Sequence, residues 1–178
     1  PARVGDTDYR MRPAILIHGP TASGKTKLAI ALAKRLDGEI INADAMQVYA
    51  DLDILTARPD AEELAAAPHH LFGHIDAATR YSAGAWSKEA AAKIADLRGQ
   101  GKVPIIVGGT GLYLMALTDG LSEIPPIPED ARKEARARVA QDQAAAFADL
   151  LAKDPAARDR IDPQDKQRTA RALEVLIA

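Results

Sequence analysis

The chain has 178 residues, of which 47% are hydrophobic and 27% charged, proportions typical of one globular domain or of one domain with a small insertion. It contains no cysteine, which excludes disulfides and cysteine-based zinc sites, and its net charge of −2 argues against indiscriminate binding of nucleic acid, so any such site is expected to be a local patch. Because no stretch of about 20 apolar residues and no apolar signal segment occurs, we expect a cytoplasmic protein without a membrane anchor.

The first predicted unit is a strand, a glycine-rich loop and a helix. The apolar run 14–17 is typical of a buried strand, and helical spacing of apolar residues begins after Lys25. Between them lies a phosphate-loop pattern, in which backbone amides hold phosphate, the lysine supplies charge and the last hydroxyl, that of Thr26, reaches magnesium. Its place between a strand and a helix favours this interpretation over an ordinary glycine turn. The predicted phosphate-binding residues are Gly19, Pro20, Thr21, Ala22, Ser23, Gly24, Lys25 and Thr26.

A second predicted strand covers residues 39–43 and ends at Asp44. A carboxylate at this point accepts a proton or holds a magnesium-bound water, and these two roles belong to different classes of enzyme. A carboxylate after a strand is also a common helix cap, so spacing alone leaves capping open as an alternative. The role of Gln47 is undecided in the same way, because Gln47 could simply be a solvent-exposed helix residue.

The middle of the chain predicts a helix at 60–67, an ambiguous apolar segment at 71–75, a helix at 83–98 and a buried strand at 103–107. Strands that alternate with helices indicate an α/β fold, a phosphate-loop (P-loop) parallel sheet with helices on both faces. Ligands collect at the carboxyl ends of such strands. Because Gly19, Asp44 and Gly108 each follow a strand, we expect them to converge on one crevice.

The third strand is followed by the glycine-rich segment 108–113, where small residues let a substrate approach the backbone and Thr110 offers a hydroxyl donor. No aspartate ends this strand. Many phosphate-loop ATPases use an acidic residue at a strand end to position magnesium, so its absence after this strand makes ATP hydrolysis less favoured but leaves it open.

The second half of the chain predicts a small helical insertion at 121–163, so that the core comprises 13–120 with 164–178. Cations concentrate in this half, and an RNA backbone is one partner that they would suit. The alternative is a set of solvated helix faces paired with nearby acidic residues, which the residues alone favour. The cations are Arg132, Lys133, Arg136, Arg138, Arg158, Arg160, Lys166, Arg168 and Arg171.

Five separated motifs occur in the chain: the phosphate loop at 19–26, Asp44 with Gln47-Val48-Tyr49, Thr56-Ala57-Arg58-Pro59, Gly108 to Tyr113, and Gln167-Arg168 with Arg171-Ala172-Leu173-Glu174-Val175. With these motifs in matching order, the chain resembles the tRNA dimethylallyltransferases, which prenylate the exocyclic amine of an adenosine adjacent to the anticodon. The resemblance covers about residues 14–178. That family usually has serines where this chain has Asn42 and Ala45. The family also continues beyond Ala178, so we expect a C-terminally incomplete core.

The resemblance implies that the phosphate loop binds the diphosphate of dimethylallyl diphosphate, with Lys25 and Arg171 neutralising its charge and Thr26 placing Mg²⁺. It further implies that Asp44 accepts the amine proton and that Thr110 contacts the adenosine. We expect a monomer. The tRNA-binding residues implied are Asp44, Ala45, Met46, Gln47, Thr110, Arg132, Gln167, Arg168, Thr169, Ala170 and Arg171.

Three other functions remain open at the level of sequence. The first is a P-loop small-molecule kinase, in which the same loop would hold ATP and Asp44 would serve a hydroxyl acceptor or magnesium. The second is an adenylate isopentenyltransferase. The third, a nucleotide-binding interaction module without catalysis, is disfavoured because Asp44 and Thr110 follow strand ends where catalysis would need them.

Overall fold

The computed structural model of the protein describes residues 13–178 apart from residues 53, 123 and 125. The chain divides after Leu121 into two compact units. Within the described part of the chain, no helix is both long enough and apolar enough to cross a membrane.

The first unit is built on a parallel sheet that has four strands among the described residues. These are β1 (Ile15–His18), β2 (Gly38–Asn42), β3 (His69–His70) and β4 (Val103–Gly108), in the order β1-β4-β2-β3. β4 lies between β1 and β2 and is buried along its whole length. Its Pro104 is level with Glu39 of β2, whereas pairing with β1 begins one residue later, at Ile15 opposite Ile105.

Helices cover both faces of this sheet, as the sequence predicts. They are α1 (Lys25–Leu36), α2 (Ala61–Ala66), α3 (Ala83–Gly99) and α4 (Gly111–Thr118). Successive residues of a strand point to opposite faces. Ile40 accordingly packs with Ala29 of α1 on one face, and Ile41 packs with Trp86 of α3 on the other. The predicted P-loop α/β architecture is therefore confirmed.

The second unit is helical and contains α5 (Glu129–Gln141), α6 (Gln143–Lys153), a 3₁₀ turn (Pro155–Asp159) and α7 (Lys166–Ile177). The alanine- and arginine-rich sequence from Glu129 to Lys153 predicts helical structure without marking a break, and the structure divides it at Asp142. That residue is extended, with φ −153° and ψ 102°, and its carboxylate accepts a hydrogen bond from the Ala145 amide at 3.0 Å. Asp142 therefore ends one helix and caps the next.

The sequence assigns residues 164–178 to the α/β core, but in the structure the last helix, α7, belongs to the second unit. Its Ala170 and Leu173 are buried in a cluster with Ala135 of α5 and Leu150 of α6. This packing is the physical reason that α7 falls in the second unit.

Candidate active site

A cleft of about 470 Å³ lies at the carboxyl ends of the strands. Its lining includes the phosphate-loop segment 21–27, Asp44 after β2, Arg58 from the following loop, and Gly108 at the end of β4. The carbonyl oxygen of Gly19 lies nearby, 3.6 Å from where a Cβ at Gly109 would stand. The structure therefore brings together the three strand ends that the sequence predicts to converge.

The phosphate loop leads directly into the N-terminus of α1. Gly24 is the N-cap and has a left-handed backbone with φ 83°, a conformation that costs glycine nothing. The first turn of α1 carries no acidic residue, so the positive end of the helix dipole is not neutralised from within the helix. The Lys25 ammonium donates to the neutral carbonyl of Pro20, a contact that leaves its charge uncompensated. This arrangement can attract and hold an anion.

Asp44 has two differently placed carboxylate oxygens. Its Oδ1 accepts a hydrogen bond from the Met46 amide at 2.9 Å, a local turn contact of the kind that capping aspartates make. Its Oδ2 lies 3.7 Å from the position that a Cβ on Gly109 would occupy. One oxygen thus stabilises the turn, while the other lies where the absence of a side chain at Gly109 leaves room.

Two polar residues hold the turn that carries Asp44. Thr110 Oγ1 accepts from the Ala45 amide at 2.9 Å, which leaves the hydroxyl proton for another acceptor. Asn42 is fully buried, and its side chain accepts from the Asp44 amide at 2.9 Å and donates to the Asp44 carbonyl at 3.0 Å. Thr110 was expected from the sequence, but Asn42 was not singled out for a role. The available signal was a polar residue at the end of an apolar strand.

The lining of the cleft contains a further cation, Arg58, that also had no role in the sequence prediction. Gln47 Nε2 donates to the carbonyls of Thr56 and Ala57 at 2.9 and 3.2 Å, which fixes the loop before Arg58. Arg58 Nη1 donates to the carbonyl of Tyr49 at 3.2 Å. Arg58 therefore adds positive charge to the cleft, held by neutral partners.

The cleft lining contains three carboxylates, and two of them, Asp60 and Glu63, form the capping box at the start of α2. The described residues contain no cluster of three or more His, Asp or Glu side chains that could hold an ion. Thr26 and Asp44 both line the cleft and could each offer one oxygen. Burial raises the pKa of Tyr113 to about 12, so this phenol stays protonated at neutral pH.

The second unit carries the remaining predicted site residues. A groove of about 680 Å³ runs between α5 and α7 and is lined by Arg136, Lys166, Gln167 and Arg171 among others. The Glu174 carboxylate, only 6% exposed, accepts from Arg136 Nε at 3.2 Å and from Arg171 Nη1 at 3.1 Å. Two arginines from different helices are therefore oriented by one buried acid.

The side chains predicted to contact tRNA from this unit differ in exposure. Gln167, Arg168 and Arg171 are exposed, whereas Thr169 and Ala170 are buried. Thr169 Oγ1 donates to the carbonyl of Asp165 at 2.8 Å, so its hydroxyl serves the start of α7. Arg132 is half-buried, and its Nε has no hydrogen-bond partner among the described residues.

Comparison with known proteins shows what this architecture is related to. Residues 47–178 match the IPP transferase family and residues 13–72 match the isopentenyl transferase family. A tRNA dimethylallyltransferase of Hyphomonas neptunium is 56% identical over 169 residues, covering 94% of this chain and 54% of the relative. A tRNA dimethylallyltransferase of Maricaulis maris is 55% identical over 166 residues, covering 93% of this chain and 54% of the relative.

Two solved structures are similar over most of the chain. One, of a eukaryotic dimethylallyltransferase acting on tRNA, has a TM-score of 0.78 and 32% identity and covers 91% of this chain and 40% of that one. The full-length tRNA isopentenylpyrophosphate transferase of Bacillus halodurans has a TM-score of 0.61 and 39% identity over 93% of this chain and 55% of that one. The chain spans about half the length of the curated relatives it matches. With most of its residues matched, the chain belongs to the IPP transferase family.

Proposed function

We propose that the protein transfers a dimethylallyl group from dimethylallyl diphosphate to the exocyclic amine of an adenosine adjacent to the tRNA anticodon and releases diphosphate. The observation that carries the proposal is the presence of Asp44 in the same cleft as the phosphate loop, with Oδ2 outside the Met46 contact. An anion site and a carboxylate side by side suit the transfer of a group away from a phosphate to a nucleophile that must lose a proton. The names of the relatives support the same reaction.

Diphosphate binding is assigned to the phosphate loop, residues Gly19 to Thr26, with Lys25 as its main cation. The neutral carbonyl partner of the Lys25 ammonium and the N-terminus of α1 support this assignment. We assign Arg171 of the second unit as a further cation for the diphosphate. Arg58 lies in the lining of the cleft and is one more candidate cation for the diphosphate.

Magnesium fits the cleft as a substrate-bound ion. Mg²⁺ commonly keeps several waters and takes its other oxygens from phosphates and one or two protein groups, so it needs no cluster of protein ligands. The half-buried Thr26 side chain, placed in the cleft lining, is the residue that would hold it. When bound, the ion supplies positive charge to the leaving diphosphate.

In the proposed reaction, the bond between the allylic carbon and the diphosphate oxygen breaks while a bond from that carbon to the adenine nitrogen forms. The electron pair of the broken bond stays on the diphosphate, where Lys25 and the loop amides stabilise the growing negative charge. The nitrogen loses its proton to Asp44, because the neutral exocyclic amine is too weak an acid to ionise beforehand. The carboxylate thus takes the proton from the nucleophile, and the diphosphate takes the electron pair of the broken bond.

Binding of tRNA is assigned to residues on both units, among them the exposed Gln167, Arg168 and Arg171. Only 4% of the residues are aromatic, so an extended stacking platform is not expected, and shape, phosphate contacts and one extruded base would carry recognition. We further propose that the protein acts in the cytoplasm as a monomer. The remaining assigned contacts are Asp44, Ala45, Met46, Gln47, Thr110 and Arg132. Thr169 and Ala170, which the resemblance also implies, are buried, so we do not assign their side chains to tRNA.

The test is single-turnover transfer of labelled dimethylallyl diphosphate to tRNA, to AMP or to no acceptor. The wild-type protein should label tRNA. Asp44→Ala should slow transfer by roughly 100- to 10,000-fold, the range typical of a lost general base, while diphosphate binding changes little. The matched control is Asp119→Asn, which removes an exposed carboxylate at the end of α4 and should transfer normally.

Other outcomes would assign the cleft to a different reaction. Label on AMP but not on tRNA would indicate an adenylate isopentenyltransferase. Phosphate transfer from ATP, with loss of metal affinity in Asp44→Ala, would indicate a kinase. An Asp44→Ala variant that transfers at the wild-type rate would exclude Asp44 as the base.

A further inference from the structure

Asn42 is the last residue of β2, is fully buried, and stands two positions before Asp44. We propose that Asn42 is a positioning residue whose side-chain amide fixes the turn that presents the Asp44 carboxylate to the cleft. The proposal rests on the proposed function for the chemical role of Asp44. The orientation of the turn itself is a separate property that can be measured without activity.

The amide of Asn42 binds both backbone groups of Asp44. Its Oδ1 accepts from the Asp44 amide at 2.9 Å, and its Nδ2 donates to the Asp44 carbonyl at 3.0 Å. The N–H and C=O of one residue are separated by its φ and ψ angles, so holding both to one planar group restricts both angles. The direction in which the Asp44 side chain leaves the backbone is therefore restricted too.

Asn42 is in turn anchored to two distant parts of the first unit. Its Nδ2 also donates to the carbonyl of Leu71 at 3.0 Å, and its own carbonyl accepts from Trp86 Nε1 at 2.8 Å. A side chain here must accept one hydrogen bond and donate two. Asparagine provides this set, whereas serine has a single donor and an ionised aspartate has none.

Thr110 holds the same turn from the other side, through the amide of Ala45. Removing the Asn42 amide should therefore leave the path of the chain in place but free the Asp44 peptide to rotate. The Met46 amide reports that rotation, because it donates to Asp44 Oδ1 at 2.9 Å. A change in carboxylate direction would break this bond.

The experiment compares Asn42→Ala with Trp86→Phe and Asn42→Ser. Asn42→Ala should lower the single-turnover transfer rate about 100-fold, the scale that a misplacement of about 1 Å can produce, with little change in the dissociation constant of dimethylallyl diphosphate. The backbone amide of Met46 should lose its hydrogen-bonded chemical shift and its protection from exchange. Asn42→Ser, with one donor and an acceptor, should recover part of both.

Trp86→Phe is the matched control. It removes a buried hydrogen bond to the backbone carbonyl of Asn42 but keeps every hydrogen bond of the Asn42 side-chain amide. It should lose stability yet transfer within a few-fold of the wild-type rate and keep the Met46 signal. Equal losses of rate in Asn42→Ala and Trp86→Phe would overturn the proposal, since general destabilisation would then explain both. So would a folded Asn42→Ala variant with wild-type rate and Met46 protection.

Failure of the proposed function would be distinguishable from failure of this inference. If the wild-type protein transfers no dimethylallyl group, the proposed function fails, and the amide signals alone decide the role of Asn42. Loss of protection at Asp44 and Met46 in Asn42→Ala, with retention in Trp86→Phe, would support positioning, and retention in both would overturn it. If Asn42→Ala does not fold, Asn42→Ser carries the same comparison.

Discussion

Gly108 ends β4 beside Ala43, the residue that follows β2, and replacing it tests how tightly the two strand ends are packed. A Cβ on Gly108 would lie 2.1 Å from both the carbonyl carbon and the carbonyl oxygen of Ala43. Ordinary van der Waals contact begins near 3.4 Å, so the strand ends must move apart by about 1 Å in Gly108→Ala. Backbone cannot turn away as a flexible side chain would.

The cost follows from the strain and from two backbone hydrogen bonds at this point. The Ala43 amide donates to the Val107 carbonyl at 2.7 Å, and the Thr110 amide donates to the Ala43 carbonyl at 3.2 Å. Overpacking typically costs about 1–3 kcal/mol, and each weakened hydrogen bond adds up to about 1 kcal/mol. We therefore expect Gly108→Ala to lower the free energy of unfolding by about 3 kcal/mol.

Urea unfolding followed by tryptophan fluorescence measures this loss, because the single tryptophan, Trp86, is fully buried in the first unit. With a denaturant slope of about 2 kcal/mol per molar urea, the midpoint should fall by roughly 1.5 M. The matched control is Gly111→Ala in the first turn of α4, where a Cβ meets nothing within 4 Å. It should gain about 0.4–1 kcal/mol. Equal midpoints for the two variants would refute the reasoning.

Two further predictions concern titration and a buried charge. Burial lowers the pKa of His69 below 6.5, so its contribution to stability should be complete above about pH 6.5 and be lost as the pH falls through the lowered folded pKa. His69→Asn, whose amide can still donate to a backbone carbonyl, should show a smaller fall in urea midpoint between about pH 7.5 and pH 5 than the wild type. Glu174→Gln should cost about 1–3 kcal/mol in urea unfolding followed by circular dichroism, because charge-assisted hydrogen bonds to two arginines weaken. Glu134→Gln, which removes an exposed partner of one arginine, should cost only about 0.3–0.5 kcal/mol, and similar losses in both would contradict the role of burial.

The elements that the sequence predicts correctly are those whose signal is local. The phosphate loop can be identified from eight consecutive residues, and the apolar run at 103–107 is long enough to identify a buried strand. By contrast, β3 consists of His69 and His70 alone, which carry no strand periodicity, and α4 begins inside a glycine-rich segment that conceals a helix. The break at Asp142 is hidden in alanine-rich sequence that favours helix on both sides.

The missed part of the candidate site depends on contacts between distant residues. Asn42 is held by hydrogen bonds to Leu71 and Trp86, which are 29 and 44 residues away in the chain. Asp44, by contrast, could be selected from its position after a strand. Sequence spacing finds a functional carboxylate more readily than the buried amide that orients it, because the amide's partners are assembled only by folding.

Pro104 has a consequence for how the sheet can assemble. The Val103 amide donates to the Asp37 carbonyl, so the odd-numbered residues at this end of β4 present their backbone groups toward β2 and Pro104 faces the side of β1. Proline has no amide hydrogen, and the pairing with β1 begins only after Pro104, with Ile15 opposite Ile105. If β1 shifted along β4 so that its pairing began before Ile105, it would lie opposite Pro104, which has no amide hydrogen to donate. One proline thus discourages a shifted pairing that the apolar run 14–17 would otherwise tolerate.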